Sequence, residues 1–244
     1  MSGSAMIYCA AVVLLAGFVR GYSGFGFSAI IVAGLGFVTS PLVAVPLAVL
    51  LEITASIFQA RSIFAHVDWK RMGVLMIGAI VGNPLGVAIL EHMPADTLKT
   101  GVYVFILASA IVLLFSRSQG IRLGSFGWLL VGIAAGAING ATALSGLFIV
   151  VVMTLSVTPP SAMRATLVGY FFASDLYVAG IMVWRELIDV NLVTLALVSL
   201  PLVGLGIHLG SRRFLSSTDL QFRQATLILL VMLGLTGLGT ALLT

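Results

Sequence analysis

Two long apolar segments of this chain are each interrupted near the middle by a short run of small and polar residues. The first covers residues 5–39 and is interrupted at residues 20–28, and the second covers residues 126–157 and is interrupted at residues 139–146. Lipid hydrocarbon offers no hydrogen bonds, so irregular backbone at that depth must be buried in protein or line a cavity. A pair of such segments in two halves of a chain is typical of a binding site in a membrane transporter.

The composition confines nearly the whole chain to a membrane. Of its 244 residues 60% are hydrophobic and 8% are charged, whereas about a quarter of the residues of a soluble domain are charged. The net charge is +4, but the basic residues are scattered between apolar runs. We therefore interpret them as determinants of membrane orientation and predict no nucleic-acid partner.

No catalytic or cofactor-binding pattern is found in the sequence. Cys9 is the single cysteine, and the three histidines are too far apart to form a metal motif. The chain has no Gly-x-x-x-x-Gly-Lys-Ser/Thr motif, so ATP does not drive it directly. We predict that the chain is not an enzyme and that it has no cofactor and no metal site.

The remaining apolar runs predict six full membrane spans, at residues 42–58, 72–90, 102–115, 165–184, 192–209 and 225–243. Each interrupted segment would be roughly 52 Å long as one helix, against a hydrocarbon core of about 30 Å. This length favours a re-entrant hairpin of two half-helices that meet near the midplane. As hairpins, the segments leave only Lys99 and Arg185 opposite the other basic residues. That arrangement satisfies the positive-inside rule better than one in which both interrupted segments cross the membrane fully. Full crossing of both segments remains the alternative.

The chain also contains a tandem repeat. Gly17 and Pro41 recur as Gly136 and Pro160 at a shift of 119 residues, and the matching interruptions strengthen the alignment. We predict repeats at residues 1–122 and 123–244, each a broken helical hairpin followed by three transmembrane helices. Three full spans is an odd number, so the halves are inverted. The predicted fold is an all-α integral membrane protein with both termini outside.

Three charges lie inside predicted membrane segments: Arg20, Glu52 and Asp175. Such charges are costly and are functional candidates by default. Asp175 aligns with Ser56, one helical turn from Glu52, so the two carboxylates occupy related places. We predict them as coupling candidates that carry a proton. Two structural alternatives remain open, namely that Arg20 forms a buried pair with Glu52 and that the carboxylates hydrogen-bond to broken backbone.

The interruptions are predicted to bind a tetrahedral oxyanion. Helix N-termini near Gly24 and Gly146 would offer free N–H groups, and Arg20 would add a guanidinium. Asn83, beside a proline within a span, is a candidate for lining the cavity. The glycines can equally pack helices together without any ligand. The predicted substrate-binding residues are Arg20, Gly21, Ser23, Gly24, Gly26, Ser28, Asn139, Gly140, Ala141, Thr142, Ser145 and Gly146.

These motifs resemble those of the sulfite exporter TauE/SafE family of small bacterial anion permeases. The resemblance covers nearly the whole chain and rests on the run from Gly21 to Gly26, its counterpart from Gly136 to Gly146, and the prolines Pro41 and Pro160. It implies transport of sulfite, sulfonates or other organosulfur anions across the inner membrane. The second half has Ala143 and Ser145 where Gly24 and Gly26 stand, so the two half-sites are expected to contribute unequally.

We therefore predict a secondary transporter for a small sulfur-containing anion in the bacterial inner membrane, with Glu52 and Asp175 as candidates for coupling to a proton. Its predicted partners are the anionic substrate and the lipid bilayer. A passive anion channel and a membrane scaffold or interaction protein without transport activity are the alternatives. The sequence leaves open the exact anion, import or export, the coupling ion, and whether the chain works as a homodimer.

Overall fold

The protein is a bundle of nine α-helices over the part of the chain that the structure describes. This computed structural model describes residues 3–63, 66–115, 120–156, 158 and 160–214, and the single positions 228, 231 and 235. The helices are α1 (Gly3–Ser23), α2 (Phe27–Leu35), α3 (Pro41–Ile63), α4 (Trp69–His92), α5 (Ala95–Phe115), α6 (Ser125–Thr142), α7 (Ser145–Leu155), α8 (Pro160–Trp184) and α9 (Val190–Phe214).

Seven of the described helices are long and apolar enough to cross a membrane, namely α1, α3, α4, α5, α6, α8 and α9. The prediction of an all-α membrane protein is therefore confirmed. Five of the six predicted full spans correspond to α3, α4, α5, α8 and α9. The sixth, at residues 225–243, lies outside the described residues apart from three single positions. The inversion of the two repeats stays a prediction.

The two arms of each hairpin differ in length. In the first, α1 has 21 residues and α2 has nine, and in the second α6 has 18 and α7 has 11. The long arm α1 continues through residues 20–23, which the sequence analysis had placed in the interruption between two half-helices. At about 1.5 Å per residue, α1 alone is long enough to span the hydrocarbon core.

Left-handed residues set the position of each hairpin turn. Gly24 and Gly26 have φ angles of 77° and 83°, and Ala143 has a φ of 57°. A helix cannot continue through this backbone region, which glycine adopts most easily. The first turn is therefore confined to residues 24–26, later than the interruption in the sequence had suggested.

The two halves of the chain are joined by crossed packing. The most extensive helix contact is that between α4 and α6, followed by that between α1 and α9. Each long hairpin arm thus packs against the middle span of the other half. Glycines bring these backbones together: a Cβ atom added to Gly82 would lie 2.1 Å from the Ile133 carbonyl oxygen, and one added to Gly21 would lie 2.2 Å from that of Ile207.

Helices α3 and α8 pack against each other and are the most buried of the span-length helices. They carry Glu52 and Asp175, so both intramembrane carboxylates lie at the centre of the bundle. The short arm α2 is also central, since all nine of its residues are buried.

The middle span of each half begins in the same way. Asp68 accepts a hydrogen bond of 3.0 Å from the Arg71 backbone N–H, and Asp189 accepts one of 2.8 Å from that of Leu192. The bonds from Leu192 and Asn191 hold the pKa of Asp189 below its usual value. Asp68 and Asp189 therefore cap the middle spans of the two halves in the same way.

Candidate substrate-binding site

A small cavity lies between the two hairpin turns. Its free volume of about 10 Å³ is enough for about one water molecule. An oxyanion therefore needs the cavity to widen before it can bind. The cavity is lined by Gly26, Ser28, Ala29, Glu52, Asn139, Ala143, Leu144, Gly146, Leu147, Phe171 and Asp175.

Arg20 is fully buried in the last turn of α1. Its Nη2 atom lies 2.9 Å from the Glu52 Oε1 atom and donates a hydrogen bond of 3.2 Å to the Ser56 hydroxyl. Its Nη1 atom donates to the Gly24 carbonyl oxygen. The buried Arg20–Glu52 pair, one of the alternatives that the sequence left open, is thus present.

Arg20 itself does not line the cavity, but two of its neighbours do. Besides this ion pair, the Glu52 Oε2 atom accepts a hydrogen bond of 2.7 Å from the Ser28 hydroxyl. The Phe171 ring lies 4.8 Å from the Arg20 guanidinium carbon in a cation–π contact. The Arg20 Nε atom is buried and has no hydrogen-bond partner among the described residues. Glu52 and Phe171 therefore separate a strong donor from the cavity.

Polar side chains from three other helices hold the end of α1. Gln59 donates a hydrogen bond of 3.2 Å to the Arg20 carbonyl oxygen. Arg164 and Ser211 each donate a hydrogen bond of 3.2 Å to the Gly21 carbonyl oxygen. These bonds satisfy carbonyl groups that a helix end otherwise leaves unpaired. These residues could not be found from the interruption itself, because they lie on α3, α8 and α9.

In the second half, Asn139 takes the place of Arg20. Its Nδ2 atom donates a hydrogen bond of 2.8 Å to the Asp175 Oδ1 atom and one of 3.4 Å to the Ser174 hydroxyl. Its Oδ1 atom accepts a hydrogen bond of 2.9 Å from the Ser145 hydroxyl, at the start of α7. The second Asp175 oxygen, Oδ2, is buried and has no hydrogen-bond partner in the described part of the chain. This half-site therefore pairs its carboxylate with a neutral amide.

The structure brings some of the predicted residues to the cavity and places others in different contacts. Ser23 and Thr142 donate to backbone carbonyl oxygens of their own segments. A Cβ atom added to Gly140 would lie 2.4 Å from the Asn83 carbonyl oxygen, so Gly140, like Gly21, lies at a contact between helices. The predicted candidates that line the cavity are Gly26, Ser28, Glu52, Asn139, Gly146 and Asp175.

Other predicted candidates lie outside the cavity lining. Asn83 is fully buried and donates a hydrogen bond of 3.1 Å to the hydroxyl of Ser174, the residue before Asp175 in the chain. Gly24 faces Arg164, whose Cγ atom would lie 2.7 Å from a Cβ atom at that position. Sequence reasoning missed five lining residues, namely Ala29, Ala143, Leu144, Leu147 and Phe171.

The comparison with known proteins agrees with the resemblance noted in the sequence. The family model for sulfite exporter TauE/SafE matches residues 9–237, nearly the whole chain. The chain belongs to the sulfite exporter TauE/SafE family. This TauE/SafE protein is therefore a multi-pass membrane protein of a transporter family and not an enzyme.

A curated relative of this TauE/SafE protein is the "Probable sulfite/organosulfonate exporter TauE" of Cupriavidus necator. The two are 23% identical over 203 residues, which cover 78% of this chain and 77% of the relative. No solved structure matches the chain.

Proposed function

We propose that this protein is a secondary transporter that moves a small sulfur-containing anion, such as sulfite or an organosulfonate, across the bacterial inner membrane. The observation that carries the proposal is the cavity between the two hairpin turns, with the buried Arg20 directly behind its lining. Irregular backbone at membrane depth beside a cavity is where transporters bind substrates and ions. The name of the Cupriavidus necator relative supports the substrate class.

In this proposal the anion takes the place of Glu52 on Arg20. A guanidinium binds planar or tetrahedral oxyanions through parallel N–H donors. One donor, the Arg20 Nε–H, has no partner among the described residues, and Nη2 forms the ion pair with Glu52. Because the cavity is small, Glu52 and Phe171 must swing aside as the anion enters.

The same exchange links anion binding to a proton. When the anion binds Arg20, Glu52 loses its cation while it remains in a poorly solvated site. Burial without a cation favours the protonated form of a carboxyl group. Glu52 therefore takes up a proton as the anion arrives, and the two cross together. Of the two carboxylates predicted to carry a proton, Glu52 is the one that contacts Arg20.

Alternating access would involve units that differ from the two sequence halves. A motion of one half against the other would have to separate α1 from α9 and α4 from α6, which are in close backbone contact. We propose that these crossed pairs move as rigid units around the cavity.

Both termini face the periplasm in this proposal, because that orientation places most basic residues on the cytoplasmic side.

The test is uptake of ³⁵S-labelled sulfite into liposomes that contain the purified protein. We expect saturable uptake that is driven by a proton gradient, accelerated by unlabelled sulfite on the opposite side, and competed by organosulfonates more than by acetate. Arg185→Gln is the matched control, since Arg185 is exposed and pairs with Glu91 outside the site. It should transport like the wild type.

Two results would contradict the proposal. Flux that neither saturates nor shows acceleration by opposite-side sulfite would indicate a passive anion channel. A correctly folded protein without sulfite binding or flux would indicate a scaffold or interaction protein.

A further inference from the structure

Among the described residues, no cation forms a direct ion pair with Asp175 as Arg20 does with Glu52, at 2.9 Å. The Asp175 Oδ1 atom accepts a hydrogen bond from the neutral Asn139 amide, and Arg20 acts on Asp175 only from a longer distance. The Asp175 Oδ2 atom is buried without a hydrogen-bond partner among the described residues, and the residue, 2% exposed, lines the cavity. A buried carboxylate is stable in its charged form only when a positive partner balances it.

Other buried oxygen atoms lie around Asp175. Asn83 Oδ1, on α4, is fully buried and without a hydrogen-bond partner in the described residues, and the buried Tyr170 hydroxyl, on α8, lies beside Ser174. The Ser174 hydroxyl connects Asn83 with Asn139. It accepts a hydrogen bond of 3.1 Å from Asn83 Nδ2 and one of 3.4 Å from Asn139 Nδ2. The proposed anion exchange uses none of Asn83, Tyr170 and Ser174.

The end of α6 adds a negative field to the same place. Helix α6 ends at Thr142, and Asn139 and Ala143, at this end, line the cavity. The C-terminal end of a helix carries partial negative charge and unpaired carbonyl groups. In the first half, Arg20 donates to the Gly24 carbonyl oxygen just beyond the end of α1, whereas the aligned residue in the second half is the neutral Asn139.

We propose that this second half-site binds Na⁺ through the two unpartnered oxygens, Asp175 Oδ2 and Asn83 Oδ1. A hard cation prefers oxygen ligands, and a single carboxylate beside a neutral amide oxygen balances one positive charge. A proton on Asp175 would supply one donor only, whereas Na⁺ would be shared by both oxygens. The first half-site binds the anion and the second binds the cation, so the proposal adds a second ion to the proposed function.

The test measures binding of ²²Na⁺ to the purified full chain in detergent by scintillation proximity, without any anion substrate. We expect saturable binding that unlabelled NaCl displaces and choline chloride does not. Asp175→Asn should lower the affinity at least tenfold, and Asn83→Ala should lower it less. Asp96→Asn removes an exposed carboxylate at the start of α5, and it should bind Na⁺ like the wild type.

Folding of each variant is checked by size-exclusion chromatography, and Asn83→Ala keeps the test informative if Asp175→Asn does not fold. Absence of saturable Na⁺ binding in the monodisperse wild type would overturn the proposal. So would equal affinity in the wild type and both site variants, or displacement of ²²Na⁺ by choline. Because no sulfite is present, failure of this test leaves the proposed anion transport standing, and failure of sulfite uptake leaves the Na⁺ site standing.

Discussion

Glu52 and Phe171 contact the same group, the Arg20 guanidinium. The Glu52 Oε1 atom lies 2.9 Å from Arg20 Nη2, and the centre of the Phe171 ring lies 4.8 Å from the guanidinium carbon. The repeat shift of 119 residues aligns these two positions. The first half therefore supplies a charge, and the second supplies an aromatic face, from equivalent places on α3 and α8. The site is unequal because two positions that the sequence repeat aligns carry a carboxylate in one half and an aromatic ring in the other.

Replacing Arg20 with Gln should reduce sulfite uptake at least tenfold, because it removes the positive charge that binds the anion. It should also destabilise the protein by about 3–5 kcal/mol, since Glu52 is left buried without its cation. Thermal unfolding and ³⁵S-sulfite uptake measure the two effects.

The double variant Arg20→Gln, Glu52→Gln separates stability from transport. It removes both charges of the pair, so the thermal stability should largely return while sulfite uptake stays lost. Recovery of uptake in this double variant would show that Arg20 serves the fold alone.

Replacing Glu52 with Gln should strengthen sulfite binding about tenfold, which is about 1.4 kcal/mol, because the anion no longer competes with a carboxylate for Arg20. Transport should become insensitive to the proton gradient. The thermal shift produced by sulfite should be larger in this variant than in the wild type. A smaller shift, or uptake that still follows the proton gradient, contradicts the exchange of Glu52 for the anion.

Ser28→Ala distinguishes two roles for the Ser28 hydroxyl. In this structure it donates 2.7 Å to Glu52, and a hydrogen bond to a charged group contributes about 1.5–3 kcal/mol. Its loss should release Glu52 more easily and strengthen sulfite binding. If the hydroxyl instead donates to the anion, sulfite binding measured by thermal shift will weaken.

Gly136→Ala should destabilise the protein by about 1–3 kcal/mol. The added Cβ atom would lie 2.7 Å from the Ala79 Cα atom, where α6 meets α4, and two backbones would have to separate. Gly101→Ala is the matched control, because a Cβ atom there meets nothing within 4 Å. Equal melting temperatures for the two variants would argue against this close contact.

Three residues of the candidate site could be chosen from the sequence because charges are rare in membrane segments. Arg20, Glu52 and Asp175 were recognisable for that reason alone, and the structure places all three in or beside one cavity. Phe171 carried no such signal, because a phenylalanine in an apolar helix is ordinary. Only its alignment with Glu52 in the repeat could have indicated a place in the site.

The lengths of the hairpin arms and the role of the glycines were beyond sequence reasoning. Glycines spaced by four residues are compatible with a ligand-binding turn and with helix packing. Their role depends on whether another backbone lies opposite, as α9 does for Gly21 and α4 does for Gly140. Such a partner is distant in the chain, so local patterns do not reveal it.

The crossed packing of α1 on α9 and of α4 on α6 makes each half of the chain incomplete without the other. A single repeat would expose the glycine face of its long arm and could cover it only by pairing with a second copy. We therefore expect that a chain cut between residues 122 and 123 yields two fragments that co-purify when they are co-expressed and aggregate when they are made separately. Independent stability of either fragment would contradict this. The two predicted repeats would then behave as an obligate dimer whose subunits are joined in one chain.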